Sequence, residues 1–313
     1  MRSMHYHSRG IALLTTLLVV SIASIIGVSM MKRQWFDIRK TQNLQRMEQS
    51  WLYAQGVDVW ALGRLQDDIK KNKVDSEHDD WSHPIEPTEV EGGQLSAAIS
   101  DHQGRFNINN LLATGDAGKK QLGRFRRLLN VLDLPQQLAE PLLDWLDADS
   151  DIHYPSGAEE SHYMAKTPSY RPANQAMIDI SELRLIEGYT EEVCRTLELH
   201  VSALPGTVNI NINSATEQVL QSLGKDLTQQ DAQAVIDARS EQPFEDMESF
   251  LQHQALAGRE ILADGLTVSS QYFTVVSDVQ VGQLKLGYRS IIFRKDKDNI
   301  RVIRRVKRGL FDE

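Results

Sequence analysis

The amino-acid sequence predicts an α+β chain with a long N-terminal helix and an antiparallel sheet, interrupted by a large helical insert. Three observations predict it. An uncharged apolar run from Ile11 to Met31 leads into a segment whose apolar residues recur at helical spacing. The C-terminal segments alternate apolar and polar residues with the period of a strand. Between these ends, from 111 to 265, leucines and alanines return to helical spacing.

The apolar run is flanked by Arg2 and Arg9 on one side and by Lys32 and Arg33 on the other. At about 1.5 Å per residue it is long enough to cross a bilayer as a helix. A cleaved secretory signal would have a shorter apolar region of about 7 to 15 residues ending in small residues, and Gly27-Val28-Ser29 is a weak match to such a site. A plain membrane anchor is the other alternative. Beyond the run, Leu44, Met47, Trp51, Ala54, Ala61 and Leu65 keep a helical period, with Arg46, Glu48, Asp58 and Arg64 between them. One helix over 11–71 is the simplest reading, transmembrane over 11–31 and amphipathic in its second half; a juxtamembrane coiled coil is the alternative.

A polar, proline-containing stretch over 73–93 reads as a loop with no element of its own. Two short strands are expected over 94–101 and 105–109, joined as a hairpin through His102-Gln103-Gly104. At the other end, 272–281, 283–295 and 299–307 read as an antiparallel meander turning at Gly282 and at Asp296-Lys297-Asp298. The sheet core is therefore assigned to 72–110 and 266–313, and the inserted helical domain to 111–265, with helices over 122–134, 136–146, 181–199 and 214–224. Arg105-Phe-Asn-Ile-Asn-Asn-Leu and Val208-Asn-Ile-Asn-Ile-Asn-Ser-Ala-Thr echo each other. Each runs from a short strand into a helix, with Asn or Ser placed to cap its first turn.

A formal charge of −9 over 313 residues argues against a chain built to coat nucleic acid. Cys194 is the single cysteine, so neither an intramolecular disulfide nor a thiol pair exists, and a buried apolar role is expected for it. No nucleophile, base and orienting group assemble from recognisable motifs, and the chain is expected to catalyse nothing.

Two constellations could carry chemistry. Asp144, Asp147, Asp149 and Asp151 crowd one short segment, with Glu159 and Glu160 soon after. Alternate aspartates on a turn offer several hard oxygens to one point, as a calcium loop requires. Ile152 stands at the EF-hand glycine position and Ala158 at its twelfth, so the loop is not an EF-hand. Calcium is the expected ion over a merely solvated acidic loop, and magnesium fits less well because its geometry is stricter. The second constellation, 208–251, resembles a helix-hairpin-helix module, a fold often used to hold DNA phosphates, and makes a membrane-anchored DNA-binding protein the alternative function. Its hairpin, Leu223-Gly224-Lys-Asp-Leu, carries one glycine where two are usual, together with aspartates, so the scaffold without phosphate binding is expected and no nucleic acid partner. Arg301, Arg304, Arg305, Lys307 and Arg308 could be offered as a DNA patch; a charged edge strand explains them as well.

Arg9-Gly10 followed by Ile11-Ala-Leu-Leu resembles the site cut by prepilin peptidase, which removes a short basic leader, here 1–10, and methylates the new N-terminus. Together with the long helix, the segment Asp101-His-Gln-Gly-Arg-Phe-Asn-Ile-Asn-Asn-Leu, the insert and the terminal meander, this site resembles the K-type minor pseudopilins of type II secretion systems over essentially the whole chain. The resemblance implies a pilin-like fold carrying a bulky α-domain, cleavage between Gly10 and Ile11, and an inner-membrane anchor with the remainder in the periplasm. It also implies calcium at the acidic loop. The implied partners are the I-type and J-type minor pseudopilins at the pseudopilus tip, the shaft subunits behind them, and the peptidase. Most pilins carry Glu at the fifth mature position; Thr15 stands there, a departure that the K type shares. With no subunit ahead of it, a tip subunit that lacks this Glu avoids a buried charge without a partner.

Overall fold

A computed structural model of the protein describes residues 8–308. Helix α1 (Ser8–Lys71) is continuous over 64 residues, about 96 Å at the standard rise. Its helical start precedes the expected one at Ile11, so the Gly10–Ile11 bond lies within the helix. Residues 1–7 of the expected leader lie outside the described residues.

The elements that follow are β1 (Ile85–Val90), β2 (Gly93–Asp101), β3 (Phe106–Asn107), α2 (Gly115–Val131), α3 (Ala139–Leu146), α4 (Glu160–Met164) and α5 (Glu191–Glu198). Then come β4 (Val201–Ser202), β5 (Ile210–Asn211), α6 (Glu217–Gln221), α7 (Gln229–Glu241), α8 (Met247–Leu251), β6 (Leu266–Thr267), β7 (Tyr272–Val281), β8 (Leu284–Asp296) and β9 (Asn299–Lys307). The main sheet is antiparallel in the order β1-β2-β7-β8-β9. The expected meander is therefore present, with β9 as one edge.

Helix α1 packs on one face of this sheet through Ala54, Val57, Ala61 and Leu65, which meet Ala97, Ile99, Phe273, Val275, Val279 and Ile292. Small residues at 54 and 61 let the helix lie close to the strands. Leu44, Met47 and Trp51 belong to the same expected stripe but remain exposed; the sheet end meets α1 at Gln49, whose Nε2 donates to Glu91 O at 2.8 Å, and at Arg46, which lies beside Gly282.

Three local expectations are corrected. The stretch 73–93 does contain structure: a 3-10 turn, Asp80–Ser82, buries Trp81 against Phe273, and β1 forms the second sheet edge. The polar alternation of Ile85-Glu-Pro-Thr-Glu-Val hides an edge strand, since an edge needs few apolar residues and tolerates Pro87. Next, β2 and β3 are not a hairpin: β3 pairs in parallel with β4, and β5 in parallel with β6. The chain leaves the sheet at His102 because Asp101 Oδ1 accepts from Gln103 N at 2.8 Å and turns it away. Finally, 181–199 is not one helix. A 3-10 turn, Ile180–Leu185, is separated from α5 by Gly188 at φ +82°, and Thr190 caps the new start.

The insert has its own core, built on Phe106, Phe125, Leu128, Leu142, Trp145, Leu197, Ile210, Val219 and Phe250. It meets the sheet where Leu204 and Val208 pack on Tyr272, Ile291 and Phe293. A buried polar hub joins the parts. Arg294 Nη1 donates to Asp68 at 2.8 Å, Nη2 reaches both Asp75 and Ser270 O, and Asp101 Oδ2 accepts from Asn211 at 2.8 Å, Ser214 at 2.5 Å and Ser270 at 2.7 Å. This hub lies at the Lys71 end of α1, so the insert sits at the end of the long helix remote from the apolar run.

Candidate functional site

Helix α3 places Asp144 in its last turn among Leu142, Trp145 and Leu146, so the carboxylate is fully buried. Asp147 is the C-terminal cap, with ψ 167° turning the chain outward into the acidic loop. The loop returns to Glu159, the N-terminal cap of α4, which is also buried. Glycine is required at 157, because a Cβ there would collide with Asp144 Oδ2 and the His153 backbone.

Two groups of converging ligand atoms result, each within 4.8 Å of one another: Asp144, Asp147 and His153, and Asp147, Asp149 and Glu159. Asp147 belongs to both. Asp144 Oδ1 accepts from His153 N at 3.1 Å and lies 2.5 Å from His153 Nδ1. The remaining oxygens have no donor: Asp144 Oδ2, Asp147 Oδ1 and both carboxylate oxygens of Glu159 are buried without a partner. Burial, followed by the neighbouring Asp149, pushes the Asp147 carboxyl up to about 6. Burial and then Asp144 and Asp147 raise Glu159 as well. Buried carboxylate oxygens without donors cost several kcal/mol unless a proton or a cation meets them, and hard oxygens in this number suit a divalent ion. The residues present therefore fit a calcium ion.

Of the six acidic residues singled out in the sequence, Asp144, Asp147, Asp149 and Glu159 converge. Asp151 is exposed and belongs to neither group; its N–H donates to Asp149 Oδ1 at 2.9 Å and holds the turn. Glu160 heads α4 and pairs with Arg171 at 3.0 Å. Sequence reasoning missed His153 and Asn174. His153 follows no ligand spacing, and its only signal is its place inside the aspartate segment. Asn174 lies 23 residues or more from the aspartates in the chain, yet its N–H bonds Trp145 O at 3.0 Å and its side-chain oxygen is buried without a partner.

The helix-hairpin-helix-like part is α6, α7 and α8. Its hairpin glycine, Gly224, forms an antiparallel bridge with Ile261, and a Cβ on it would press on Glu260 O at 3.2 Å. That glycine allows protein to approach, where a DNA-binding hairpin would receive phosphate. Four of the five terminal basic residues are likewise engaged within the chain. Arg305 pairs with buried Asp58, Arg304 with Asp179 at 3.1 Å and Arg308 with Asp278 at 3.5 Å, while Arg301 lies over the Phe293 ring. At the other end of the molecule, Thr15 Oγ1 donates to Ala12 O at 2.9 Å, so the fifth position of the expected mature chain is satisfied inside its own helix.

Known proteins agree with this architecture. The profile described as "Type II secretion system (T2SS), protein K" matches residues 104–206 and again 210–269. Type II secretion system protein K of Pseudomonas aeruginosa is 33% identical over 307 residues, 95% of this chain and 92% of that one. The Aeromonas hydrophila protein of the same name is 29% identical over 96% of this chain and 97% of its own length. Among solved structures, the GspK-GspI-GspJ complex from the type 2 secretion system of enterotoxigenic Escherichia coli contains a chain that superposes with a TM-score of 0.77. That match has 26% identity and covers 86% of this chain and 99% of that one. A 64-residue N-terminal helix under an antiparallel sheet, the bulky insert and these matches lead to one conclusion: the chain belongs to the type II secretion system protein K family, the K-type minor pseudopilins.

Proposed function

We infer that this minor pseudopilin is cut by prepilin peptidase between Gly10 and Ile11 and methylated at Ile11. Residues 11–31 then lie in the inner membrane, the remainder lies in the periplasm, and the subunit caps the pseudopilus ahead of its shaft subunits. The apolar run, with a window of mean hydropathy 2.6, suits a single-pass anchor. The observation that carries the tip position is the insert's place at the Lys71 end of α1, where it would project beyond the filament and obstruct any subunit stacked ahead. Thr15 supports the same position, since no carboxylate there waits for the amine of a preceding subunit. The related GspK solved in complex with GspI and GspJ supports I-type and J-type minor pseudopilins as the immediate partners.

A tag on the insert tests the placement: labelling of assembled pseudopili is expected at ends only, and regular decoration along the shaft would refute it. N-terminal sequencing of the mature chain is expected to begin at Ile11, and an uncut Met1 or a start near Met30 would remove the processing step.

At the acidic loop the ion is calcium, in a structural role, held by Asp144, Asp147, Asp149 and Glu159. It neutralises carboxylates that otherwise repel and lets the loop between α3 and α4 stay closed. Calcium is expected to raise the melting temperature, because it binds the folded chain alone, and D147A with D149A should abolish the increment. Equal melting curves in calcium and in chelator reject the site.

A further inference from the structure

The segment of α1 just past the apolar run carries its cations on the side where the positive-inside rule has no use for them. The run from Ile11 to Met31 covers about 31 Å of helix, the thickness of a bilayer's hydrocarbon core. Lys32, Arg33, Arg39 and Lys40 follow it within nine residues, on the face of the membrane away from the leader. Orientation is favoured by Lys and Arg on the cytoplasmic side, so these four call for another account.

Their arrangement supplies one. At 3.6 residues per turn, Lys32, Arg33, Trp35, Phe36, Arg39 and Lys40 fall within about 160° of the helix circumference. The remaining arc holds Gln34, Asp37, Ile38 and Thr41, so the one acidic residue is kept off the basic face. All six side chains are exposed, Trp35 by 56% and Phe36 by 67%. Helical side chains lean toward the N-terminus, which here is toward the membrane. Arg39 does so, its guanidinium lying 5.2 Å from the centre of the Trp35 ring. The aromatic pair stands about 5 to 7 Å beyond the hydrocarbon edge, the depth at which Trp is enriched in membrane proteins. The cations above them are drawn down to the same layer.

We propose that this basic-aromatic face is a lipid-binding collar that takes the phosphate headgroups of anionic phospholipids and so sets the height of the membrane-resident subunit. The proposal rests on the membrane-anchor reading of 11–31. Trp35 and Phe36 occupy the interfacial layer, and Lys32, Arg33, Arg39 and Lys40 meet headgroup phosphates around one side of the helix. An arginine fork suits a phosphate's paired oxygens, and each basic residue near an anionic surface is worth roughly fivefold in affinity.

The full-length chain, purified in a neutral detergent, is titrated with phosphatidylglycerol or phosphatidylcholine and the bound lipids are counted by native mass spectrometry. Phosphatidylglycerol is expected to bind at least tenfold more tightly than phosphatidylcholine. The preference should vanish in K32Q/R33Q/R39Q/K40Q and persist in K70Q/K73Q/K295Q/K297Q, which loses the same charge elsewhere. None of the four collar residues packs on the sheet or the insert, so thermal melting of the first variant should match the wild type. Equal binding of the two lipids, or a preference lost equally in both variants, overturns the proposal. Alkaline carbonate extraction separates the two readings. Release of the wild-type chain from membranes overturns anchor and collar together; retention with no lipid preference overturns the collar alone.

Discussion

Asn109 and Asn213 occupy matching places in the two echoing strand-to-turn segments, and each uses its side-chain amide to hold a distant residue by both backbone groups. Asn109 accepts from Met177 N at 2.8 Å and donates to Met177 O at 2.9 Å. Asn213 does the same with Phe244 N and O, both at 3.0 Å. Two residues earlier, Asn107 and Asn211 cap the turns by accepting from Asn109 N and Asn213 N. Capping accounts for one asparagine of each segment; the other takes the place of a missing strand partner. Either N109A or N213A would strand a buried N–H and C=O, at a cost of about 3 kcal/mol. Urea denaturation of each variant should show the midpoint falling with an unchanged slope. At the acidic loop, G157A should destabilise the chain by about 1 to 3 kcal/mol through overpacking on Asp144 and abolish the calcium increment in melting temperature, read by thermal scans with and without the ion.

Helix α1 has two packing regimes along one continuous element. From Ala54 to Leu65 its stripe is closed by the sheet, whereas Leu44, Met47 and Trp51 extend the same stripe without cover. Trp51, though exposed, meets the Tyr288 ring edge-to-face and carries the Arg305 guanidinium over its ring, 4.8 Å from the centre. The exposed portion suits contact with neighbouring subunits in a fibre. In the covered portion the limiting quantity is volume. Ala61 has no exposed surface and faces strands on which the helix already lies, so A61L should cost about 1 to 3 kcal/mol. L44A lies outside this contact and should leave stability unchanged. A melting comparison of the two variants checks both statements.

Across the whole molecule, spine and sheet meet at the buried guanidinium of Arg294, which serves two buried carboxylates, Asp68 and Asp75, and Ser270 links this pair to Asp101, which holds the insert through Asn211 and Ser214. One positive charge cannot balance two negative ones. Burial raises the Asp68 carboxyl to about 6, with its bond to Arg294 lowering it and Asp79 and Asp75 raising it further. Burial raises Asp75 and Asp101 also. A carboxyl whose folded pKa exceeds its unfolded value of about 3.9 stabilises the fold when protonated. The contribution of Asp68 is therefore fully present below about pH 4 and lost as pH rises through about 6. Asn imitates the protonated acid, so the melting temperature of D68N relative to wild type should be higher at pH 7 than at pH 5. A gap independent of pH in that window would show that Asp68 does not titrate there.

What the sequence by itself determined was whatever depends on neighbours along the chain. The apolar run and the helical period after it specify α1; strand alternation specifies β7, β8 and β9 almost to the residue; crowding of Asp144, Asp147 and Asp149 specifies the loop where charge must be compensated. Tertiary structure decided what depends on neighbours in space. It made an edge strand of 85–90, whose pairing with β2 no local pattern announces. It paired β3 with β4 and β5 with β6 in place of a hairpin. It brought Glu159, His153 and Asn174 to the aspartates while turning Asp151 to solvent and Glu160 to Arg171. Local patterns record backbone preference and the side that is buried, and both act over a few residues. The ligands converge from positions up to thirty residues apart, and the charges around Arg294 come from segments more than two hundred residues apart; only the closed fold sets the distances between them.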